Sequence, residues 1–388
     1  MSKTPLSVLV TDASQKNSLA IVRALGEQGI AVYVLGHHWT DIARVSRFCA
    51  DSLIINKYDC DLVLEYIENA GIDIVIPVGT TGIKFFVENK SFFENAVKFL
   101  LPSSQQVADM MSKKRTMQIA EHLGVPIPRT FFPRNFDEAN EYASIIGFPC
   151  VMKWLYEVGD NVVDYAHNLE DFKRKYQSMC LRRGFDEQSG LPMVQEYIKG
   201  VGVGYFGLFF DGRPVAHYQH ERLREAPPSG GVSACAQTIY DSDLKKYGEL
   251  LLTALQWNGV AMVEFKKLPD GRLVLMEVNP KFWGSLELGI FSGINFPLQI
   301  IRLLAADGGS YIDEDEQYLC GRKFHWPLSG DCKYMFTSWK RFTEVSLDLV
   351  NPNVGSDLRL FSDPKPTLFH LILSFALRFR NLLRRYSN

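Results

Sequence analysis

Three side chains with oxygen donors stand in two apolar stretches: Glu264 in Ala261–Lys267, and Glu277 and Asn279 in Leu273–Asn279. Residues two apart in a strand point to one face, so Glu277 and Asn279 present three or more oxygens to one point. That donor set suits Mg2+, or Mn2+ in its place, as hard cations that take oxygen ligands. Leu268-Pro269-Asp270-Gly271 between the stretches reads as a hairpin turn. With the turn centred on Pro269-Asp270, Glu264 pairs with Leu275 and becomes a diagonal neighbour of Glu277, whereas a one-residue slip turns it away. The competing reading is a half-exposed sheet whose acids face solvent. Asn279 runs into Pro280-Lys281-Phe282-Trp283-Gly284-Ser285, which brings a cation beside the metal, where Lys281 neutralises charge on a transferred phosphoryl group.

Two lysines are placed to meet phosphate. Lys153 ends the apolar strand Phe148–Lys153, its stem along apolar neighbours and its ammonium reaching a cleft. Lys113 stands near the start of a helix ending at His122, where the helix N-terminus favours an anion. For each lysine the alternative is a solvated surface amine. Pro192–Gly200 is an apolar strand with a glycine exit; adenine needs backbone donors and acceptors along such an edge, with Glu196 accepting from its amino group. No Gly-x4-Gly-Lys-Ser/Thr occurs, so a P-loop does not hold the nucleotide. His220–Glu225 is a cationic strand with Arg222 and Arg224 on one face, leading into Pro227-Pro228-Ser229-Gly230-Gly231. Those arginines read as phosphate or carboxylate contacts, or as an ion-pair ladder with Glu221 and Glu225.

In chain order, Lys113 before a helix ending Gly124-Val125-Pro126, then Phe148–Lys153, Val194-Gln195-Glu196-Tyr197-Ile198, Glu264 and Glu277-Val278-Asn279-Pro280 resemble the ATP-grasp superfamily over roughly residues 1–305. The nearest likeness is to carboxylate-amine ligases resembling carbamoyl-phosphate synthase large-subunit domains. The resemblance implies an α/β, Rossmann-like pre-ATP-grasp domain over 1–105, an α+β ATP-grasp fold of two lobes over 106–310, and a C-terminal extension over 311–388. It implies ATP with Lys113 and Lys153 on phosphates, Glu196, Tyr197 and Ile198 along adenine, and magnesium on Glu264, Glu277 and Asn279. Lys281, Arg222 and Arg224 become the catalytic set. The implied reaction is attack of a carboxylate on the γ-phosphate, giving an acyl phosphate and ADP, followed by displacement of phosphate by an amine. Two departures stand out. Lys281 replaces the arginine usual after Asn-Pro and loses its bidentate fork, and Val201-Gly202 leaves the ribose contact unassigned. A phosphotransferase and a non-catalytic nucleotide sensor are the rival functions.

The elements that must position these groups are legible as well. Leu6–Val10, the helix Ser18–Gln28, Ile30–Leu35 and Ile72–Pro77 alternate as a parallel α/β unit. Its first loop, Thr11-Asp12-Ala13-Ser14-Gln15-Lys16-Asn17, lacks Gly-x-Gly-x-x-Gly, which argues against a dinucleotide site while leaving the strand ends open to part of a substrate. Gly204–Phe210 and Pro214–His220 flank Asp211-Gly212 as a second hairpin, so the later strands are antiparallel.

The chain has 388 residues, 46% hydrophobic, with a net charge of -2, which suits an enzyme of two or three domains and gives no electrostatic reason for a nucleic-acid partner. Seven cysteines without Cys-x-x-Cys pairs or a leader indicate reduced thiols in a cytoplasm. Cys320, His325 and Cys332 match no common zinc spacing. Residues 366–385 contain four arginines and no acid, with Leu368, Ile372, Phe375, Phe379 and Leu382 at helical spacing. Such a helix lies at the inner face of a membrane as a peripheral contact, or docks on the enzyme or on another subunit, a homo-oligomer included. Membrane contact would suit a lipid-tied substrate, such as a sugar acid of a cell-surface polysaccharide being amidated.

Overall fold

The computed structural model describes residues 6–155, 163–183, 190–228, 231–306 and 317–373. Its first sheet holds β1 (Ser7–Val10), β2 (Ala31–Gly36), β3 (Cys49–Ile54) and β4 (Ile74–Ile76), all parallel in the order β3-β2-β1-β4. Val8 and Val10 pack under Leu19, Val22 and Leu25 of the helix Lys16–Gly26, while Leu9 packs with Val63 and Ile67 of the helix Cys60–Ala70. Both faces are therefore covered, as a parallel sheet requires. Sequence reading finds this unit except for β3.

The second sheet holds β5 (Thr130–Phe131), β6 (Cys150–Lys153), β7 (Val163–Ala166) and β8 (Met193–Glu196), antiparallel in the order β5-β8-β6-β7. Cys150, Met152, Ala166 and Val194 meet the helices Phe136–Ile146 and Leu169–Arg183 through Ala139, Ala143, Phe172 and Tyr176. The opposite face carries Val151, Lys153 and Gln195.

The third and largest sheet holds β9 (Val201–Phe210), β10 (Arg213–Ala226), β11 (Val232–Thr238), β12 (Gly259–Lys267), β13 (Leu273–Asn279), β14 (Lys323–His325) and β15 (Val354–Ser356). Its order is β13-β12-β9-β10-β11-β14-β15, antiparallel except for β14–β15. Asp211 and Gly212, with φ of 47° and 73°, close β9–β10 as the expected tight hairpin. One face packs Tyr205, Phe209 and Phe265 against Leu244, Leu251 and Trp257; the other shares a continuous core with the first sheet through Phe206, Tyr218, Trp283 and Phe296.

The expected helix through Met110 to His122 is interrupted at Ser112, whose side chain accepts from the Arg115 N–H and starts the helix Lys113–His122. The C-terminal segment is more than an appendage: β14 and β15 complete the large sheet, and Asp363 accepts from the Arg23 Nε at 2.9 Å, the Ser46 hydroxyl at 2.8 Å and the Arg47 N–H at 2.9 Å. Residues 364–373 are helical, and the rest of the expected 366–385 helix lies outside the described residues.

Candidate active site

Glu264 and Glu277 are direct cross-strand partners, and Met262 faces Asn279. The expected Glu264–Leu275 pairing is corrected by a bulge: Phe265 pairs with Leu275, leaving Met276 as an extra residue in β13. The inward set accordingly shifts from Leu273 and Leu275 to Val278. The bulge brings two carboxylates face to face, an arrangement that is unfavourable without cations. The cations are present. Arg222 Nη2 donates to Glu264 Oε2, Lys113 Nζ lies 3.7 Å from Glu277 Oε2, and the Asn279 amide donates to Glu277 Oε1 at 2.9 Å. Burial pushes the Glu264 carboxyl above its ordinary value despite Arg222. Burial pushes Glu277 up too, but Lys113, the Asn279 amide and Lys153 outweigh it and hold that carboxyl below the ordinary value. Two carboxylates and an amide oxygen fit a hard divalent cation.

Lys153 and Lys113 are both buried beside this pair. The Lys113 N–H donates to the Leu155 carbonyl at 3.0 Å, tying the helix start to the exit from β6. Burial lowers the Lys153 ammonium from its ordinary value, Glu277 opposes that shift, and Lys113 adds to it. Two neighbouring buried lysines are a receptor for a multiply charged anion. A cleft of roughly 800 Å3 joins Lys153, Tyr165, Arg222, Glu264, Glu277 and Asn279. Lys281 lines it too, with Nζ donating to Thr80 Oγ1 at 3.3 Å.

Two expected site residues move. Glu196 pairs with Cys150, on the helix-covered side of the second sheet, and its carboxylate meets Arg129 at 3.5 Å. Gln195 pairs with Val151, on the same face as Lys153, and is fully buried. Its Nε2 donates to Thr130 Oγ1 at 2.9 Å, because the Thr130 hydroxyl already donates to the Pro128 carbonyl; Gln195 Oε1 has no partner. The buried acceptor in this strand is thus Gln195. Its signal was available as strand parity once the cleft face was known. Tyr197 follows β8, exposed and edge-on to Tyr165 at 5.9 Å, with Ile198 next to it.

Arg224 is the second correction. Register shifts on both sides of it break the alternation with Arg222. Its guanidinium turns into a buried network, donating to Asp331 Oδ1 at 2.9 Å and Asp348 Oδ2 at 2.7 Å. His325, Asp331 and Asp348 converge closely enough for a metal, but Arg224, Lys323 and Arg341 already supply the positive charge there. Sequence reading also misses Lys266, and Gln15, Lys16 and Asn17 at the start of the first helix, all of which line the cleft. All seven cysteines are free.

No family model matches the chain. It is 22% identical over 346 residues to the carbamoyl phosphate synthase large chain of Vibrio parahaemolyticus, an alignment covering 82% of this chain and 30% of that protein. The chain therefore spans less than a third of the length of that relative. It is 25% identical over 299 residues to the formate-dependent phosphoribosylglycinamide formyltransferase of Ignicoccus hospitalis, covering 71% of each. Among solved structures, the biotin carboxylase domain of Hydrogenobacter thermophilus 2-oxoglutarate carboxylase, in complex with MgADP, ADP and bicarbonate, superposes with a TM-score of 0.63 at 18% identity, covering 80% of this chain and 72% of that one.

Proposed function

We propose, starting from its ATP-grasp fold and ATP-grasp relatives, that this chain is an ADP-forming ligase that activates a carboxylate as an acyl phosphate and joins it to an amine. The observation that carries the reading is the meeting of Glu264, Glu277, Asn279 and Lys153 in one cleft, with the Lys113 ammonium behind it against Glu277. In this reading Glu264, Glu277 and Asn279 hold Mg2+ or Mn2+, which supplies charge neutralisation on the triphosphate. Lys113 and Lys153 bind phosphate oxygens. Gln195 accepts from the adenine amino group, with Tyr197 and Ile198 along the same edge. Arg222 and Lys281 face the transferred phosphoryl group. The substrate carboxylate attacks the γ-phosphorus, the bond to ADP breaks, and the amine then displaces phosphate from the acyl carbon.

A phosphate-release screen of carboxylates against amines tests this. ADP and inorganic phosphate should appear fully only when both partners are present. A phosphorylated product formed from one partner would make the chain a phosphotransferase, and ATP binding without turnover on any mixture would make it a sensor. The adenine assignment has its own check. Gln195→Leu should raise the KM for ATP about tenfold through the lost acceptor, while Glu196→Gln should leave it nearly unchanged. The reverse pattern would return the role to Glu196.

The reading extends to peripheral membrane contact by the C-terminal segment. Among the described residues no single helix is long and apolar enough to cross a membrane. Leu368 and Ile372, the described part of the apolar stripe, are exposed, as are Phe336, Trp339 and Phe361. The following stretch carries Arg378, Arg380, Arg384 and Arg385 with no acid. Anionic vesicles should sediment the full chain and fail to sediment one ending at Leu373, and equal sedimentation of both removes the idea. A sugar acid of a cell-surface polysaccharide is the carboxylate this extension favours.

A further inference from the structure

The loop after β1 is held by side-chain hydrogen bonds, and the helix it enters is pinned to the turn that follows β13. Asp12 takes a left-handed conformation with φ of 56°. Its carboxylate accepts from the Gly79 N–H at 2.8 Å, the Thr11 hydroxyl accepts from the Val78 N–H at 3.1 Å, and the Ser18 hydroxyl bonds the Thr11 and Asp12 carbonyls at 2.9 Å. The Asn17 amide donates to the Phe282 carbonyl at 3.1 Å, across 265 residues of chain. Lys281, on the same turn, is tied to Thr80. The first sheet therefore holds Lys16 at a set place relative to Asn279.

Lys16 reaches into the cleft because Gly284 has no side chain; a Cβ there would lie 2.8 Å from the Lys16 Cε. Its Nζ sits 4.9 Å from the centre of the Trp326 ring. The acids near it are Glu287 and Asp357. Glu287 is 3.8 Å from the Arg23 guanidinium and accepts from Trp326 Nε1 at 3.1 Å, so its charge is already answered, while burial, with Glu287 adding to it, pushes the Asp357 carboxyl up to about 8. The cleft that Lys16 lines also carries neutral hydrogen-bonding groups, Gln15, Asn17, His220, Ser233 and Ser285, besides the cations Lys153, Arg222, Lys266 and Lys281. The His220 ring bonds Ser285 Oγ at 2.7 Å through Nε2, while Nδ1 has no partner.

Ammonium groups set among neutral donors and acceptors are the complement of a polyhydroxylated acid. The geometry points to Lys16 as the residue that binds an anionic group of such a substrate, selecting a sugar-acid class of molecule from the side of the first sheet. This rests on the ligase reading above and specifies its substrate.

The probe is glucuronate, with glucose as its uncharged counterpart, titrated in the presence of Mg-ADP and followed by ligand-observed NMR. The wild-type chain should bind glucuronate and discriminate against glucose. Lys16→Met should weaken glucuronate about 10- to 100-fold and leave glucose where it was, and Lys16→Arg should recover most of the loss. Mg-ADP binding, measured on each variant, should stay within twofold and shows that the cleft has folded. Equal glucuronate affinity in wild type and Lys16→Met overturns the proposal, as does a wild-type chain that ignores glucuronate while binding Mg-ADP. Loss of Mg-ADP binding by the wild-type chain would instead overturn the nucleotide reading on which it stands.

Discussion

Glu277→Gln lowers ADP formation by about a hundredfold or more while the chain stays folded, and this is the expected result for the site's central carboxylate. Glutamine keeps the shape and the hydrogen bond from Asn279 but removes the charge that faces Lys113 and Lys153. It also takes a charged ligand from the proposed cation set. Glu264→Gln should cut activity comparably, yet its effect on stability should have the opposite sign. Glu264 is a buried acid whose ionised form is disfavoured in the fold, whereas the Glu277 charge is favoured there. Neutralising Glu264 therefore relieves a cost, and neutralising Glu277 removes a stabilising charge. Thermal melts of the two variants without nucleotide, set beside ADP release, check both halves. Full activity in Glu277→Gln would mean that the cation site lies elsewhere.

The second large effect concerns stability. Arg224→Ala should cost about 3–5 kcal/mol, because it leaves the buried carboxylates of Asp331 and Asp348 short of a partner. The surviving folded protein should keep its KM for ATP. Arg222→Ala should show the converse, with modest loss of stability and a large loss of turnover, since Arg222 meets Glu264 in the cleft. Chemical denaturation together with steady-state kinetics separates the two arginines, and an Arg224→Ala chain as stable as wild type but inactive would return Arg224 to the catalytic set.

This network also has a pH signature. Burial pushes the Asp331 carboxyl up, but His325 and Arg224 outweigh it and hold the value below that of an ordinary aspartate. A lowered folded value means stability that is fully present above the unfolded pKa and is lost as pH falls through the folded one. The stability gap between wild type and Asp331→Asn should therefore be constant from pH 7 to about 5 and shrink only below about 4, near the reference aspartate value. A gap that closed between pH 7 and 6 would assign the stabilisation to another group.

Much of this site was legible without a structure because strand parity and turn chemistry are local. Asp211-Gly212 specifies its hairpin through two adjacent backbone conformations. Glu277 and Asn279 share a face because they are two residues apart in one strand, and Lys153 ends an apolar run whose register with its neighbours does not alter that position. What local reading cannot supply is which face a neighbouring strand turns toward them. Met276 is an ordinary strand residue by type, yet its bulge decides that Glu264 opposes Glu277 rather than lying on the diagonal.

The same limit accounts for the remaining corrections. Gln195 and Glu196 are both polar and adjacent, and only the pairing of β8 with β6 assigns one to the face that carries Lys153 and the other to the helix-covered side. Arg224 looked like a twin of Arg222 until the irregular β10–β11 register turned it toward acids contributed more than a hundred residues later. Lys16 starts the helix after β1 and enters the cleft beside Gly284, with its neighbour Asn17 bonded to Phe282, contacts that no spacing along the chain encodes. By itself the sequence determined the donor types, the two hairpins and the parallel first unit. The tertiary structure decided register and docking, because those depend on hydrogen bonds and side-chain volumes between segments far apart in the chain.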